Sequence, residues 1–339
     1  MSRPAAESHR LVSVNRPAPE SHRLVSAGRP AESHRLVSVS LLGVVEHPAL
    51  GESPYRIDID GAPYVPAGDG GIVLGLRLGD SAFALSADHA APGACLIHPD
   101  PAARHALTIY SCVGNQAQVR TGRAAGAIGA VIGKRGEEGR VIAAFRQADL
   151  ARMRPSDQVS VRGCGQGLRP SGFPAQVTVL NLDPGLLPAL PITAPAAGTG
   201  GTAGTGGTAG TGGTGGAAGA PGKVRVQVRA IIPGKLAGNG LGRPAVGWDL
   251  DLQLPPPGPG GGGDVLLGDL VAVTGIDARY NMGYRRGWVT IGVVVHGSSR
   301  LPGHGPGLTA ILTAPERALD LHADDVHHVG LTEAMLKLQ

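Results

Sequence analysis

Leu267 to Leu308 reads LGDLVAVTGIDARYNMGYRRGWVTIGVVVHGSSRLPGHGPGL, and the runs inside it decide the fold class. Leu270-Val271-Ala272-Val273 and Val289 to Val295 are short, rich in β-branched residues and bounded by glycine, the composition of buried or half-buried strands. Between or just after them fall Asp277, Arg279, Tyr280, Asn281, Tyr284, Arg285, Arg286, His296 and His304. The polar groups therefore sit on loops and strand ends of a rigid sheet, where binding and catalytic side chains concentrate.

Working outward, the same reading holds on both sides. Val224, Val226 and Val228 alternate with Arg225, Gln227 and Arg229, a half-buried strand, and Trp248-Asp249-Leu250-Asp251-Leu252 is a second extended segment. Tyr55 to Val65 alternates around Asp60-Gly61, a hairpin signal. Helix is predicted only briefly, from Pro101 to Leu107 and as a turn from Gln147 to Met153 before the strand Gln158 to Val161. Val119-Arg120-Thr121-Gly122, Gly126 to Val131 and Arg140 to Phe145 resemble a KOW-type segment of a small SH3-like barrel, with glycines at the bends. The fold class is a β-rich α+β chain of small barrel-like β units with few short helices.

Five regions follow. Residues 1–40 carry three copies of a 13-residue repeat, at Arg3, Arg16 and Arg29, with His9, His22 and His34 in successive copies. Each copy offers only a Leu-Val pair to bury, so disorder is expected. Residues 41–195 form an N-terminal β-rich domain holding the KOW-like segment, and the Gly/Ala/Thr tract 196–222 is a flexible linker. Residues 223–320 form a C-terminal β-rich domain, with Pro255 to Gly263 as a loop insertion. Residues 321–339 are a polar tail whose His322, His327 and His328 are expected to face solvent.

Composition excludes several classes. Glycine reaches 55 residues and aromatics only 3%, so the cores are built from Val, Leu, Ile and Ala. A net charge of +4 is too small to imply nucleic acid by itself. The cysteines Cys95, Cys112 and Cys164 are odd in number and lack CxxC spacing, which fits a reducing cytoplasm rather than a disulfide framework or zinc ribbon. No apolar run approaches the roughly 18 residues that span a bilayer, and no signal-type apolar stretch follows Arg3. A cytoplasmic protein without membrane contact is expected, and a homo-oligomer is compatible with the sequence.

The blocks GNQAQVRTGRAAGAIGAVIGKRGEEGRV, GCGQGLRP, NLDP, GNGLGRP, GWDLDLQL, GDLVAVTGIDARYNMGYRRGWVTIGVVVHG and GHGPGL occur in this order. Together they resemble the DUF4438 domain of unknown function, from about Val44 to Pro315 without the two low-complexity tracts. The resemblance implies no activity. It implies that the Gly/Thr linker is an insertion in the family's fold and that the two halves pack together.

Chemistry is sought first in Asp249, Asp251, Asp277 and His296 as metal ligands, with His304 beside them. Asp249 and Asp251 share a side of an extended segment, and two such carboxylates repel unless a cation, an arginine or a proton intervenes. This mixed O/N set suits a divalent Zn, Mn or Fe ion. Pairing of the acids with Arg243, Arg279, Arg285 or Arg286 at a sheet edge is the competing reading.

In Gly303-His304-Gly305-Pro306-Gly307 the glycines let another backbone or a ligand approach. His304 is a candidate catalytic group, as are Asp88 and His89, an orienter and base from the first half. Arg279, Arg285 and Tyr284 are candidates to hold the anionic part of a substrate. Arg120, Arg123, Lys134, Arg135, Arg140 and Arg146 make the barrel-like stretch basic, though only Phe145 is available to stack on a base. The leading expectation is a metal-assisted enzyme acting on a small polar metabolite. Its alternatives are a non-catalytic RNA- or ribosome-associated binding module and a structural assembly subunit.

Overall fold

The computed structural model describes residues 36–48, 50, 53–83, 87–136, 139–195, 222–258, 264–324 and 327–338. The N-terminal repeats with their histidines lie outside these residues, as does the Gly/Ala/Thr linker apart from Gly222.

The first half closes a barrel. Strands Val39–Val45, Gln158–Gly163, Gln116–Val119, Ile128–Arg135, Arg140–Ala144 and Gly93–Ile97 pair in that order, all antiparallel. Gly93–Ile97 then returns to the first strand, with Val44 opposite Ile97, so the six strands leave no open edge. The KOW-like segment supplies three of them in succession. Val45, Leu96, Val131, Val141, Val159 and Val161 fill the interior with Phe145 and Met153. The helix Pro101–Tyr110 adds Leu107 to the same cluster. It starts where proline at the first turn and an Asp100 side chain accepting from Ala103 N–H favour it.

The second half is built on one sheet in the order Gly307–Pro315, Gly283–His296, Leu270–Asp277, Ala230–Pro233, with Leu250–Asp251 also pairing to Gly307–Pro315 and Thr178–Val179 of the first half joining that strand at the edge. From Trp288 onward the central strand is buried on both faces, which is why its sequence is a continuous apolar run rather than an alternation. Ile291, Val293 and Val295 pack with Ile132, Ile142 and Cys95 on the outside of the barrel. Val294 faces the other way, onto Leu250, Leu252 and Leu308. The two halves thus share one apolar layer. Val224–Val228 pairs with Ile192–Thr193 and, in parallel, with Leu319–Ala323, turning Val224, Val226 and Val228 into that layer.

Two readings change at this level. His322 and His327 face solvent as expected, but Leu331, Leu336 and Leu338 are buried and His328 lies 2.8 Å from Asp269, so the end of the C-terminal segment is packed where a polar tail was expected. Lys134, Arg135 and Arg140 are also buried, which leaves only Arg120, Arg123 and Arg146 of the six basic residues on the surface. Among the described residues, no helix is long and apolar enough to cross a membrane.

Lys134 enters the contact between the halves just after a β-bulge at Val131/Gly133. Its Nζ donates to Asn181 Oδ1 at 2.8 Å, to Ile109 O at 3.2 Å and to Val246 O. Burial pushes this lysine from its ordinary 10.5 to about 7. The unfolded chain keeps the proton to higher pH, so the lysine's contribution to stability rises between pH 7 and about 10 and is level below that window. Lys134→Met is expected to flatten this rise in denaturant unfolding across the window; parallel pH profiles for the two proteins would refute the assignment.

Candidate metal centre

Where the barrel meets the second sheet, the apolar packing gives way to a cluster of buried polar side chains. The sheet delivers most of them through one glycine. His296 and Asp251 stand on the two strands flanking Gly307, and each pairs with it in register. Side chains on neighbouring strands at paired positions share a face, so the missing Gly307 side chain leaves the slot in which His296 and Asp251 meet. A Cβ built there would lie 1.9 Å from His296 Nε2. A register shift between Val294 and His296 re-aims the imidazole at the strand's end.

Asp249 comes to the same place from the start of the Leu250–Asp251 strand. Its Oδ1 accepts from Gly136 N–H of the barrel at 2.7 Å, and its Oδ2 lies 2.8 Å from His296 Nε2. Asp251 Oδ1 lies 3.4 Å from that same nitrogen, and Asp251 Oδ2 lies 3.0 Å from His304 Nδ1. The loop holding His304 crosses so close to Leu252 O that a Cβ on Gly305 would stand 1.9 Å from that oxygen. This is the close backbone approach that the flanking glycines suggested.

The first half contributes His89. Its Nε2 lies 3.0 Å from His304 Nδ1, and its ring meets those of His296 and His304 edge-on, with centroids 5.1 and 5.0 Å apart. His89 takes φ +53, a left-handed conformation uncommon for a non-glycine residue and held only where surroundings impose it. Here its N–H donates to Ser298 O at 3.0 Å. Asp88 backs it, with Oδ1 at 3.3 Å from His89 Nδ1, while Asp88 Oδ2 accepts from Arg56 at 3.0 Å and from the Tyr64 hydroxyl at 3.1 Å.

Asp69, Arg56 and Tyr64 were not singled out from the sequence, and Arg135 was read only as part of a basic surface stretch. Arg56 also donates to Asp69 at 2.9 Å, and Arg135 forms an ion pair with Asp69. Only a buried Lys-Arg-Gly turn and a Gly-Asp-Gly-Gly loop hint at them, and neither pattern names its partner.

Electrostatics follow from burial. Burial alone would raise Asp88 and Asp249. In Asp88 the His89 contact, and in Asp249 the His296 hydrogen bond, overcome it and hold both carboxyls below their ordinary range. Burial lowers His89, so that ring is neutral near pH 7. Burial also opposes a charged His296, but Asp249 and Asp251 overcome it and raise that ring. Burial and the adjacent Asp88 push the Tyr64 hydroxyl up to about 12.

Of the sequence-derived candidates, the fold gathers Asp88, His89, Asp249, Asp251, His296 and His304. Asp277, Arg279, Arg285 and Tyr284 stand elsewhere. Asp277 is bound by Arg279 at 2.8 Å and by Arg285 at 3.0 Å, both guanidiniums lie over the Trp288 ring, and Tyr284 is exposed. For that acid the arginine reading applies. For Asp249 and Asp251 it does not, since Arg243 lies over Trp248 instead.

The family models for DUF4438 match this chain twice, the N-terminal model over residues 55–188 and the C-terminal model over residues 216–330. The chain belongs to the DUF4438 family. A solved structure described as "Crystal structure of TM1086" is similar to it at 32% identity and a TM-score of 0.76, covering 89% of this chain and 98% of that one. No curated protein matches. DUF4438 is a domain of unknown function in both halves.

Gly307→Ala should force His296 from its slot, because Asp249, Asp251 and the apolar layer leave it no room to yield. Overpacking of this kind costs about 1–3 kcal/mol. Denaturant unfolding should show that loss; a variant as stable as the parent would mean that Gly307 does not set the slot.

Proposed function

We propose that the protein is a metal-dependent enzyme acting on a small polar metabolite, with its ion held by Asp249, Asp251 and His296. One observation carries this reading. His296 Nδ1 lies 2.9 Å from Gly297 O, and a carbonyl oxygen can only accept, so Nδ1 bears the hydrogen. In the neutral ring Nε2 is then a bare lone pair, aimed at Asp249 Oδ2 and Asp251 Oδ1. Three acceptors converge on one point in the protein interior, and Asp251 Oδ1 has no hydrogen bond there.

A second proton on His296 answers part of this conflict, and a divalent cation answers all of it. A backbone carbonyl on the far nitrogen is also the usual way a ligating histidine is oriented. The ligand edges of 2.8 and 3.4 Å suit an ion about 2.0–2.2 Å from each atom. Such an ion supplies Lewis-acid polarisation of a substrate oxygen.

The chain's own groups do the rest. Gly136 N–H fixes Asp249, and Gly307 keeps the slot open. His304, with its side chain 18% exposed, is where the cluster meets solvent and a substrate. His89 and Asp88 stand behind it.

Burial of the other members favours a second reading, an ion that staples the two halves, because Gly136 and His89 belong to one half and the aspartates to the other. Elemental analysis of purified protein, with thermal unfolding before and after chelation, tests both. Stoichiometric metal, lost in the Asp249→Ala, Asp251→Ala variant, is expected. Metal-free wild-type protein that takes none up on dialysis against Zn²⁺, Mn²⁺ or Fe²⁺ would overturn both. A staple predicts a large fall in Tm on chelation. The enzyme predicts that a polar metabolite co-purifies with the wild type and is absent from the variant, by mass spectrometry.

A further inference from the structure

We infer that the centre holds two divalent ions bridged by Asp251, the second bound by His89 Nε2, His304 Nδ1 and Asp251 Oδ2. This rests on the metal-dependent reading above and extends it.

The two oxygens of Asp251 face different groups. Oδ1 looks toward His296 and Asp249, and Oδ2 toward His304, 3.0 Å away. His304 Nδ1 is also 3.0 Å from His89 Nε2. One ring nitrogen cannot give a hydrogen to Asp251 and accept one from His89 at once. If it donates to the carboxylate, His89 Nε2 either brings a second hydrogen against it or has to share the one hydrogen with Asp251. If it accepts, a lone pair faces the carboxylate. An ion among the three atoms needs no shared hydrogen, since each then offers a lone pair to it.

Distances agree with this. Nitrogen and oxygen ligands about 2.0–2.2 Å from an ion, between octahedral and tetrahedral angles, lie about 3.0–3.5 Å from one another. The His89–His304 and His304–Asp251 edges, 3.0 Å each, lie at the octahedral end of that range. His89 Nδ1 faces the Asp88 carboxylate at 3.3 Å, the outer partner that keeps a ligating imidazole's other nitrogen free for metal. A carboxylate that offers one oxygen to each of two ions sets them about 3.5–4 Å apart, the spacing of two-metal enzymes.

A third grouping, Asp69 with Asp88 and His89, is also close enough to ligate. Its carboxylates are already taken by Arg56 and Arg135, so it is filled by guanidinium rather than metal.

Charge then points to the ligand. Asp69 and Asp88 are balanced by Arg56 and Arg135, and Asp249 and Asp251 balance one divalent ion. A second ion leaves two positive charges in a low-dielectric site, which calls for an anionic substrate group such as a carboxylate or phosphate.

The test is metal stoichiometry on the full chain reconstituted with Mn²⁺, read by elemental analysis and by electron paramagnetic resonance. The wild type should hold two Mn²⁺ per chain with a spin-coupled signal. His304→Ala, in the most exposed member of the cluster, should hold one with the uncoupled six-line signal. Asp249→Asn, circular dichroism confirming its fold, should also lose one. A wild type with one Mn²⁺, kept in His304→Ala, overturns the second ion and leaves the metal-dependent reading standing. No bound Mn²⁺, Zn²⁺ or Fe²⁺ in the wild type overturns both.

Discussion

The structure depends on four carboxylates, Asp69, Asp88, Asp249 and Asp251, being held out of water where the two halves meet. Removing an ionised carboxylate from water costs several kcal/mol unless opposite charge and hydrogen bonds are supplied in place. Everything nearby can be read as that supply. Arg56 and Arg135 answer the first two. Gly136 N–H and three imidazoles surround the others. Because Gly136 N–H and His89 come from the half opposite Asp249 and Asp251, the junction cannot slide without stranding a charge.

The apolar layer makes this register rigid. Ile132 and Ile142 on the barrel and Val293 and Val295 on the sheet interdigitate directly beside the cluster, and Gly133 lets the barrel strand approach so closely that a Cβ would meet Val295 at 2.3 Å. Packing of this density transmits small displacements instead of absorbing them. A cluster on such a frame has its polar atoms held near 3 Å apart by the scaffold. Lys134 extends the same logic without a carboxylate: its three acceptors are a side-chain amide and two backbone carbonyls.

Much of this was legible in the sequence. The alternation at Val224, Val226 and Val228, the apolar run Val289 to Val295, the Asp249/Asp251 spacing and the glycines around His304 are local patterns, and local geometry honours them. The six-stranded closure was not legible, since it depends on two register contacts between strands separated by about fifty residues. Nor was the buried state of Lys134, Arg135 and Arg140. Their two strands look basic and exposed when read alone, and only partners distant in the chain, Glu46 and Asp69 for the arginines and Asn181 and Val246 for Lys134, turn those side chains inward. The C-terminal leucines were read as a polar tail for the same reason, because three apolar residues among polar ones announce burial only once there is a surface to receive them.

Asp277 shows what separates an acid that organises a site from one that does not. It lies on the Leu270–Asp277 strand of the same sheet, yet Arg279, two residues on, bonds its carboxylate through both Nε and Nη2, and Arg285 completes the neutralisation across the hairpin. Such an acid is satisfied by its own neighbourhood and asks nothing of the rest of the fold. Asp249 and Asp251 have no cation within five residues in the chain, and Arg243, six away from the first, is occupied with Trp248. Buried acids without a local counter-charge must draw one from distant chain or from solution. In this protein distant chain answers with His296, which both carboxylates hold toward its charged form, with Gly136 N–H, and with the nearby charge of Arg135.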